Sequence, residues 1–396
     1  MTDSTSSSHT RWSVVFALIF AGFVAAFQVG KAAIAVPLLR HDLDLSLDAA
    51  SWILGAFGTL GAIAGFPIGI LVSRLDPRKA VVGGLLAIGA GNILGAMSPT
   101  QVQLLASRAL EGSGFLITVV AIPTMLRIVS APRDRDFVFS CWTTYMPGGT
   151  ALMMLAGPIL NPLGWQGLWL VNGCLAFLYA AFVTAILARN TSSITAASSA
   201  NTKIAIAGVL RSPGPIVLAL CFTVYAIQYY AMTGLFPALL VERLGLSVAA
   251  AGAISAATVV ANAAGNLAAG ALMRWKVPFW ATIVTAFIVT GIAALGIFGG
   301  DFPAVVVAML AALSLAISGL IPASVFAGMP RLVASPHMIA VAFGLLVQAS
   351  NLGQLLGPPA LGSFVERFGW SSASLVFLLT ALVGAILAVS LRPLLR

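Results

Sequence analysis

Apolar residues in this chain gather into runs of roughly twenty, and each run ends at a short polar or basic segment. A helix rises about 1.5 Å per residue, so about twenty apolar residues cross the ~30 Å hydrocarbon core of a bilayer. The runs predict twelve transmembrane helices. The first six cover 12–37, 51–73, 79–97, 101–127, 137–160 and 166–188. The second six cover 213–240, 248–273, 278–299, 303–329, 337–362 and 371–391. Between the two sets lies the one long polar stretch, Arg189 to Ser212, rich in Ser, Thr, Ala and Asn, which reads as a linker. An all-α integral membrane protein follows, with an N-terminal six-helix bundle (1–188), a cytoplasmic linker (189–212) and a C-terminal six-helix bundle (213–396).

The two halves repeat each other. The segment Pro37 to Ser46 matches Pro237 to Ser247, offset by 200 and then 201. Ala26-Phe-Gln28 returns as Ala226-Ile-Gln228, Gly69-Ile-Leu71 as Gly270-Ala-Leu272, and Gly157-Pro158 as Gly357-Pro358. Parallel repeats of this kind place a solute site near the bilayer midplane and serve it by alternating access.

Composition supports the same picture. Hydrophobic residues make up 60% of the 396 positions and charged residues only 8%, with a mean hydropathy of +1.04. Soluble domains carry about 25% charged residues, so a soluble enzyme, a secreted disulfide scaffold and a disordered chain are all excluded. The net charge of +9 would ordinarily suggest nucleic acid, but here it follows topology. Cytoplasmic loops hold the excess of Lys and Arg. With both termini cytoplasmic, fifteen of the twenty basic residues fall on that side, three (Arg40, Arg243, Arg367) fall outside, and Lys31 and Arg108 lie within spans. The polar start, Met1 to Thr10, leads into an apolar run too long for a signal-peptide core, so the first helix is expected to be an uncleaved span. Cys141, Cys174 and Cys221 are odd in number, lie in apolar runs and are expected to be buried thiols. His9, His41 and His337 are expected in the tail or loops. No Walker loop, His-x-x-x-His pair or Cys-x-x-Cys is present, so neither a metal nor another cofactor is expected.

Two motifs identify a family resemblance that extends over essentially the whole chain. The loop Gly69-Ile-Leu-Val-Ser-Arg-Leu-Asp-Pro-Arg-Lys79 is similar to the G-x-L-x-D-R-x-G-R-K signature of the major facilitator superfamily, with Gly69, Leu71, Arg74, Arg78 and Lys79 matching. Ser73 stands where the family has Asp, and Asp76 where it has Gly. The family's Asp joins a charge network that latches the cytoplasmic side, which leaves Asp76 as the acid available for that role. On the fourth helix Arg108-Ala-Leu-Glu111-Gly112-Ser-Gly114 resembles the family's R-x-x-Q-G-x-G, with Glu for Gln. This Glu form, with Phe115 and Pro123 following, looks most like the cyanate and nitroimidazole permease branch. Gly148-Gly149 and Gly157-Pro158 form a partial version of the glycine-proline signature found among antiporters.

Ionisable groups inside a span are costly and need an explanation. Lys31 lies about 9 Å below the outer end of its helix, while Arg108 and Glu111 lie about 10 and 15 Å deep from theirs. All three fall at comparable depth, on helices that line the central cavity in the resembled fold. Arg108 and Glu111 share a helix face. Either they pair for stability, or Glu111 is a proton-coupling carboxylate whose proton affinity follows Arg108 and water access. Lys31 either snorkels to the interface or, beside Gln28, offers a point charge to an anion. The C-terminal half supplies neutral groups only: Gln228, Tyr229 and Tyr230, Asn262 and Asn266, Ser314 and Ser318, and Gln348, Asn351 and Gln354. Of these, Gln228, Tyr229 and Asn351 are the substrate-contact candidates, and amides of this kind otherwise act as interhelical glue. Gly69, Arg74, Asp76, Arg78, Gly157, Pro158, Gly357 and Pro358 are the candidates for gating and helix bending.

The expectation is a monomeric, multi-pass secondary transporter of the inner membrane, not an enzyme. It would carry a small anionic organic solute, coupled to protons. The competing expectation is a proton-driven exporter of drugs or metabolites.

Overall fold

A computed structural model describes residues 9–72, 75–98, 100–190, 202–333 and 338–395. Among them every regular element is a helix. Helix α1 (Trp12–Asp42) runs through Pro37 and carries His41 in its last turn, where a loop was expected. Ser46 caps α2 (Leu47–Gly55) by accepting a hydrogen bond from the Ala49 amide. A 3-10 turn (Ala56–Gly58) joins α2 to α3 (Thr59–Val72), which kinks at Ala64 (φ −135°, ψ 16°), three residues before Pro67. The proline ring there displaces the preceding turn. Asp76 caps α4 (Pro77–Ala96) from the Arg78 amide at 2.9 Å, and Pro77 opens the helix where no amide donor is needed. Helix α5 (Gln101–Val129) starts at the Thr100 cap.

Two short helices, α6 (Arg135–Trp142) and α7 (Tyr145–Leu160), stand where one span over 137–160 was expected, and α8 (Gly164–Asn190) follows. The segment expected as linker contains a ten-residue helix, α9 (Thr202–Arg211). Then come α10 (Pro213–Glu242), α11 (Val248–Arg274) and α12 (Phe279–Ala294), the last ending in a π-turn over Leu295–Gly299. Gly319 divides α13 (Ala304–Ser318) from α14 (Leu320–Leu332) within the span expected at 303–329. Helices α15 (Ile339–Phe368) and α16 (Ala373–Ser390) close the chain.

Ten helical stretches among the described residues are long and apolar enough to cross a bilayer. The helices at the expected fifth and eleventh positions, α7 and α15, are not among those ten. Outward faces carry Phe16, Ile159, Leu178, Leu267, Met309 and Ile386, each more than half exposed. So much apolar surface would aggregate in water and is satisfied by lipid.

The chain folds as two compact units. One joins the segment up to Lys31 to residues 67–198, and the other joins 32–66 to the chain from 199 onward. In the first unit α4 and α5 cross at paired glycines. A Cβ on Gly84 would lie 2.7 Å from the Gly114 carbonyl oxygen, and one on Gly114 would lie 2.7 Å from the Ile88 nitrogen. In the second unit Gly353 and Gly357 of α15 meet the α10 backbone at Thr223 and Ile227, while Gly265 and Gly319 bring α11 against α13. Small residues permit this approach, and close packing is what holds helices together where the solvent is itself apolar.

Candidate functional site

The first unit encloses a polar cluster built from α1, α4, α5 and α8. Its placement depends on glycines of α4. A Cβ on Gly91 would stand 2.8 Å from Cγ of Glu111, and one on Gly95 would meet both the Trp169 indole and Ser107. Without side chains there, α5 and α8 approach α4 closely enough for groups on all three helices to reach Lys31.

The Lys31 ammonium donates to Glu111 Oε2 at 2.9 Å and to Asn92 Oδ1 at 2.5 Å, and it lies 4.0 Å from the centroid of the Trp169 ring. Arg108 Nη1 donates to the same Glu111 Oε2, and Nη2 donates to the Gln28 carbonyl at 3.1 Å. Asn92 Nδ2 donates to Gln28 Oε1 at 2.9 Å and to the Ile88 carbonyl at 2.8 Å, which fixes its Oδ1 toward Lys31. Gln28 Nε2 donates to Val24 O. Arg108 is 1% exposed, and Gln28, Lys31, Asn92 and Glu111 are wholly buried.

Two cations therefore share one carboxylate oxygen, and the cluster carries +1 with all three groups ionised. The second oxygen, Glu111 Oε1, has no hydrogen-bond partner among the described residues, nor do Trp165 Nε1, Trp169 Nε1 and Asn172 Oδ1. Lys31 does not snorkel. Its three N–H bonds are met by two oxygens and one aromatic face.

Helix depth brings Lys31, Arg108 and Glu111 together from sequence alone, and Gln28 joins them through its side chain and its carbonyl. Asn92 and Trp169 are additions that sequence reasoning missed. The available signal for Asn92 is that it is the sole amide in its span, next to Gly91 and three residues from Gly95.

The second-unit candidates are engaged elsewhere. Gln228 donates to Phe377 O and Thr380 Oγ1 on α16, as interhelical glue would. Tyr229 is buried and stacks on Tyr225 at 5.6 Å. Asn351 lies against Gly61 and returns a bond to Val347 O. Asn262 bonds Leu315 O and Ser318, and Asn266 bonds Asn262.

Among the gating candidates, Gly157 is buried on α7, and Pro358 and Gly357 are buried in α15 with Gly357 against Ile227. Arg78 is half-buried beside the Asp76 cap. Arg74 and His337 lie outside the described residues, as do the side-chain surroundings of Gly69 and Pro158. Of the cysteines expected to be buried, only Cys221 is. Cys141 is half-buried and Cys174 exposed, because α8 buries a single stripe that includes Trp165, Trp169, Asn172 and Ala176 and turns Cys174 away from it.

Residues 18–347 match the sequence model of the Major Facilitator Superfamily. The chain is 26% identical over 175 residues to the cephamycin export protein CmcT of Amycolatopsis lactamdurans, covering 43% of this chain and 36% of that one. It is also 25% identical over 248 residues to an MFS-type efflux pump of Mycolicibacterium smegmatis, covering 61% and 57%. The matches to these curated relatives therefore span between about a third and three-fifths of their length. In three dimensions the chain resembles a bacterial homologue of the human lysosomal transporter Spinster in an inward-facing, occupied conformation. The TM-score is 0.83 at 14% identity, with 98% of each chain covered. The nucleoside transporter NupG gives a TM-score of 0.73 at 15% identity, with 97% of this chain and 99% of that one covered. Both likenesses are of fold.

Proposed function

Because the chain belongs to the Major Facilitator Superfamily, and is on that ground a multi-pass inner-membrane transporter and not an enzyme, we propose that its transport is driven by protons through the cluster around Glu111 and Arg108. One observation carries this reading: a single, wholly buried carboxylate is shared by two cations. Buried ion groups are seldom kept for stability, since well-packed apolar residues do as well. Their protonation depends on partner distance and hydration, which alternating access changes. In this reading the bodies that move are the sequence halves 1–188 and 213–396, joined by 189–212, with residues 32–66 grouped with the second half in the conformation described, both termini cytoplasmic and the protein acting as a monomer.

The solute of this reading is a small organic anion. The cluster's excess positive charge favours one, and so does the likeness of the helix-4 motif to the cyanate and nitroimidazole permease branch. Gln28, Lys31 and Arg108 set that charge preference from the first half. A second reading, export of antibiotic-like compounds, is favoured by what the relatives are named for, CmcT among them.

The coupling is tested in proteoliposomes with a solute first identified by thermal stabilisation, since ligands that bind only the folded state raise its melting temperature. Glu111→Gln is expected to reduce pH-gradient-driven transport by at least ~10-fold while counterflow exchange stays within about twofold, as expected when a transition-determining interaction is removed without loss of binding. Gradient-driven transport that survives the substitution overturns the reading.

A further inference from the structure

Resting on the reading that this cluster couples protons, we propose that the exchangeable proton sits on Lys31 Nζ, with Glu111 as the fixed counter-ion that positions it. The argument is a count of donors and charges. As an ammonium, Lys31 has three N–H bonds, and the structure provides three acceptors: Glu111 Oε2, Asn92 Oδ1 and the face of Trp169. As a neutral amine it keeps two, enough for both oxygens; the cation–π contact with Trp169 and the charge attraction to Glu111 are lost, and the repulsion from Arg108 is lost with them. Deprotonation leaves both heavy-atom hydrogen bonds in place and takes the cluster from +1 to zero. Arg108 cannot make this change, because a guanidinium keeps its proton in proteins.

Protonating Glu111 would do the opposite. Oε1 receives no donor among the described residues, and with a proton on the carboxyl group the buried charge would rise to +2. A doubled charge in low dielectric is unfavourable. In the step itself an Nζ–H bond breaks, its electron pair stays on nitrogen, and the proton passes to water on the side then open. The reverse step takes a proton from water on the other side.

The groups facing Lys31 can be named. Glu111 and Arg108 of α5 are the charged ones. Asn92 of α4 and Trp169 of α8 are neutral, as are Thr150 and Met153 of α7, which pack against the neighbouring Gly30.

Trp169 supplies the readout. In the full-length protein in nanodiscs, tryptophan fluorescence is titrated with pH, with no solute and no gradient. The difference between wild type and Trp169→Phe isolates this indole from the other seven. The expected result is a Trp169 transition that disappears in Lys31→Arg, whose cation cannot be discharged, and persists at a displaced pH in Glu111→Gln. Should Glu111→Gln not fold, Glu111→Asp takes its place and is expected to retain the transition. A transition that survives Lys31→Arg, or that vanishes in the folded Glu111 variant, places the proton on the carboxylate and overturns the inference. Absence of any Trp169 transition in wild type overturns it too. Because this titration needs no transport, it is decided separately from the coupling reading, which fails only if Glu111→Gln leaves gradient-driven transport intact.

Discussion

Glu111→Ala is expected to be the most destabilising single substitution in the buried cluster, costing about 3–5 kcal/mol, the range for breaking a buried ion pair by removing one partner. The reason lies in the sharing of one oxygen. Lys31 and Arg108 are both compensated by Glu111 Oε2, so deleting the carboxylate leaves two buried cations facing each other with no counter-charge. Lys31→Met in the otherwise native chain leaves the balanced Arg108–Glu111 pair. It is expected to cost only about 1–3 kcal/mol, from the unsatisfied Asn92 Oδ1 and the lost aliphatic packing. The decisive comparison is Glu111→Ala with Lys31→Met in the same chain, which removes one of the two stranded cations. The double variant is expected to be more stable than Glu111→Ala alone, a coupling that only groups in direct contact produce. Unfolding in mild detergent, followed by far-UV circular dichroism, measures all three. If the double variant is less stable than either single one, the two cations do not share the carboxylate.

That cluster is partly legible in the amino-acid sequence because buried charge is rare and helix rise is constant. Lys31, Arg108 and Glu111 are the only charged side chains in the interior of the expected spans, and counting residues from the helix ends puts them at comparable depth. Direction around a helix is harder to read when every face is apolar. Helix α1 is buried almost all round near Lys31, so hydropathy does not tell a cavity-facing lysine from one turned toward α4, α5 and α8.

Amides are harder still, since the same Gln or Asn serves as glue or as ligand depending on a neighbour that sequence does not name. Gln228 binds α16, and Asn92, which no apolar pattern separates from ordinary glue, stands at the centre of the cluster. Helix breaks are invisible for a related reason. Gly319 and the Thr143–Thr144 step interrupt the hydrogen-bond ladder without interrupting the apolar run, and hydropathy records only the run.

Gly58→Leu is expected to abolish transport, at least ~10-fold below wild type, while leaving the Lys31 cluster and the overall helix content unchanged, because it overpacks a close backbone contact. In the second unit, residues 47–65 lie along α15 with glycines at the points of nearest approach. A Cβ on Gly55 would stand 2.6 Å from the Leu355 carbonyl oxygen, one on Gly58 would stand 2.6 Å from the Asn351 carbonyl oxygen and 3.0 Å from the Leu355 nitrogen, and one on Gly61 would overlap the Asn351 side chain. Backbone atoms inside a helix cannot step aside as a flexible side chain does. The same seam is clasped at one end by polar contacts. The Leu47 amide donates to Glu366 Oε2 at 2.6 Å, and Ser363 Oγ donates to Asp48 Oδ1; a separate pair, Arg40 of α1 with Glu242 of α10, also joins the two halves of the sequence. These partners join helices from the two halves of the sequence, so under the proposed motion of those halves a cycle of alternating access makes and breaks them. A leucine at 58 holds the seam apart and removes one of the states the cycle needs. The exposed Arg40–Glu242 pair is weak by comparison, about 0–1 kcal/mol for a surface ion pair, and Glu242→Gln is expected to leave transport within about twofold for that reason. Two measurements decide the matter. Alkylation of Asn351→Cys is expected to accelerate in the Gly58→Leu background, and Gly83→Leu, at a site where nothing lies within 4 Å, is expected to transport normally. If Gly58→Leu transports within twofold of wild type, this seam does not open and close during the cycle.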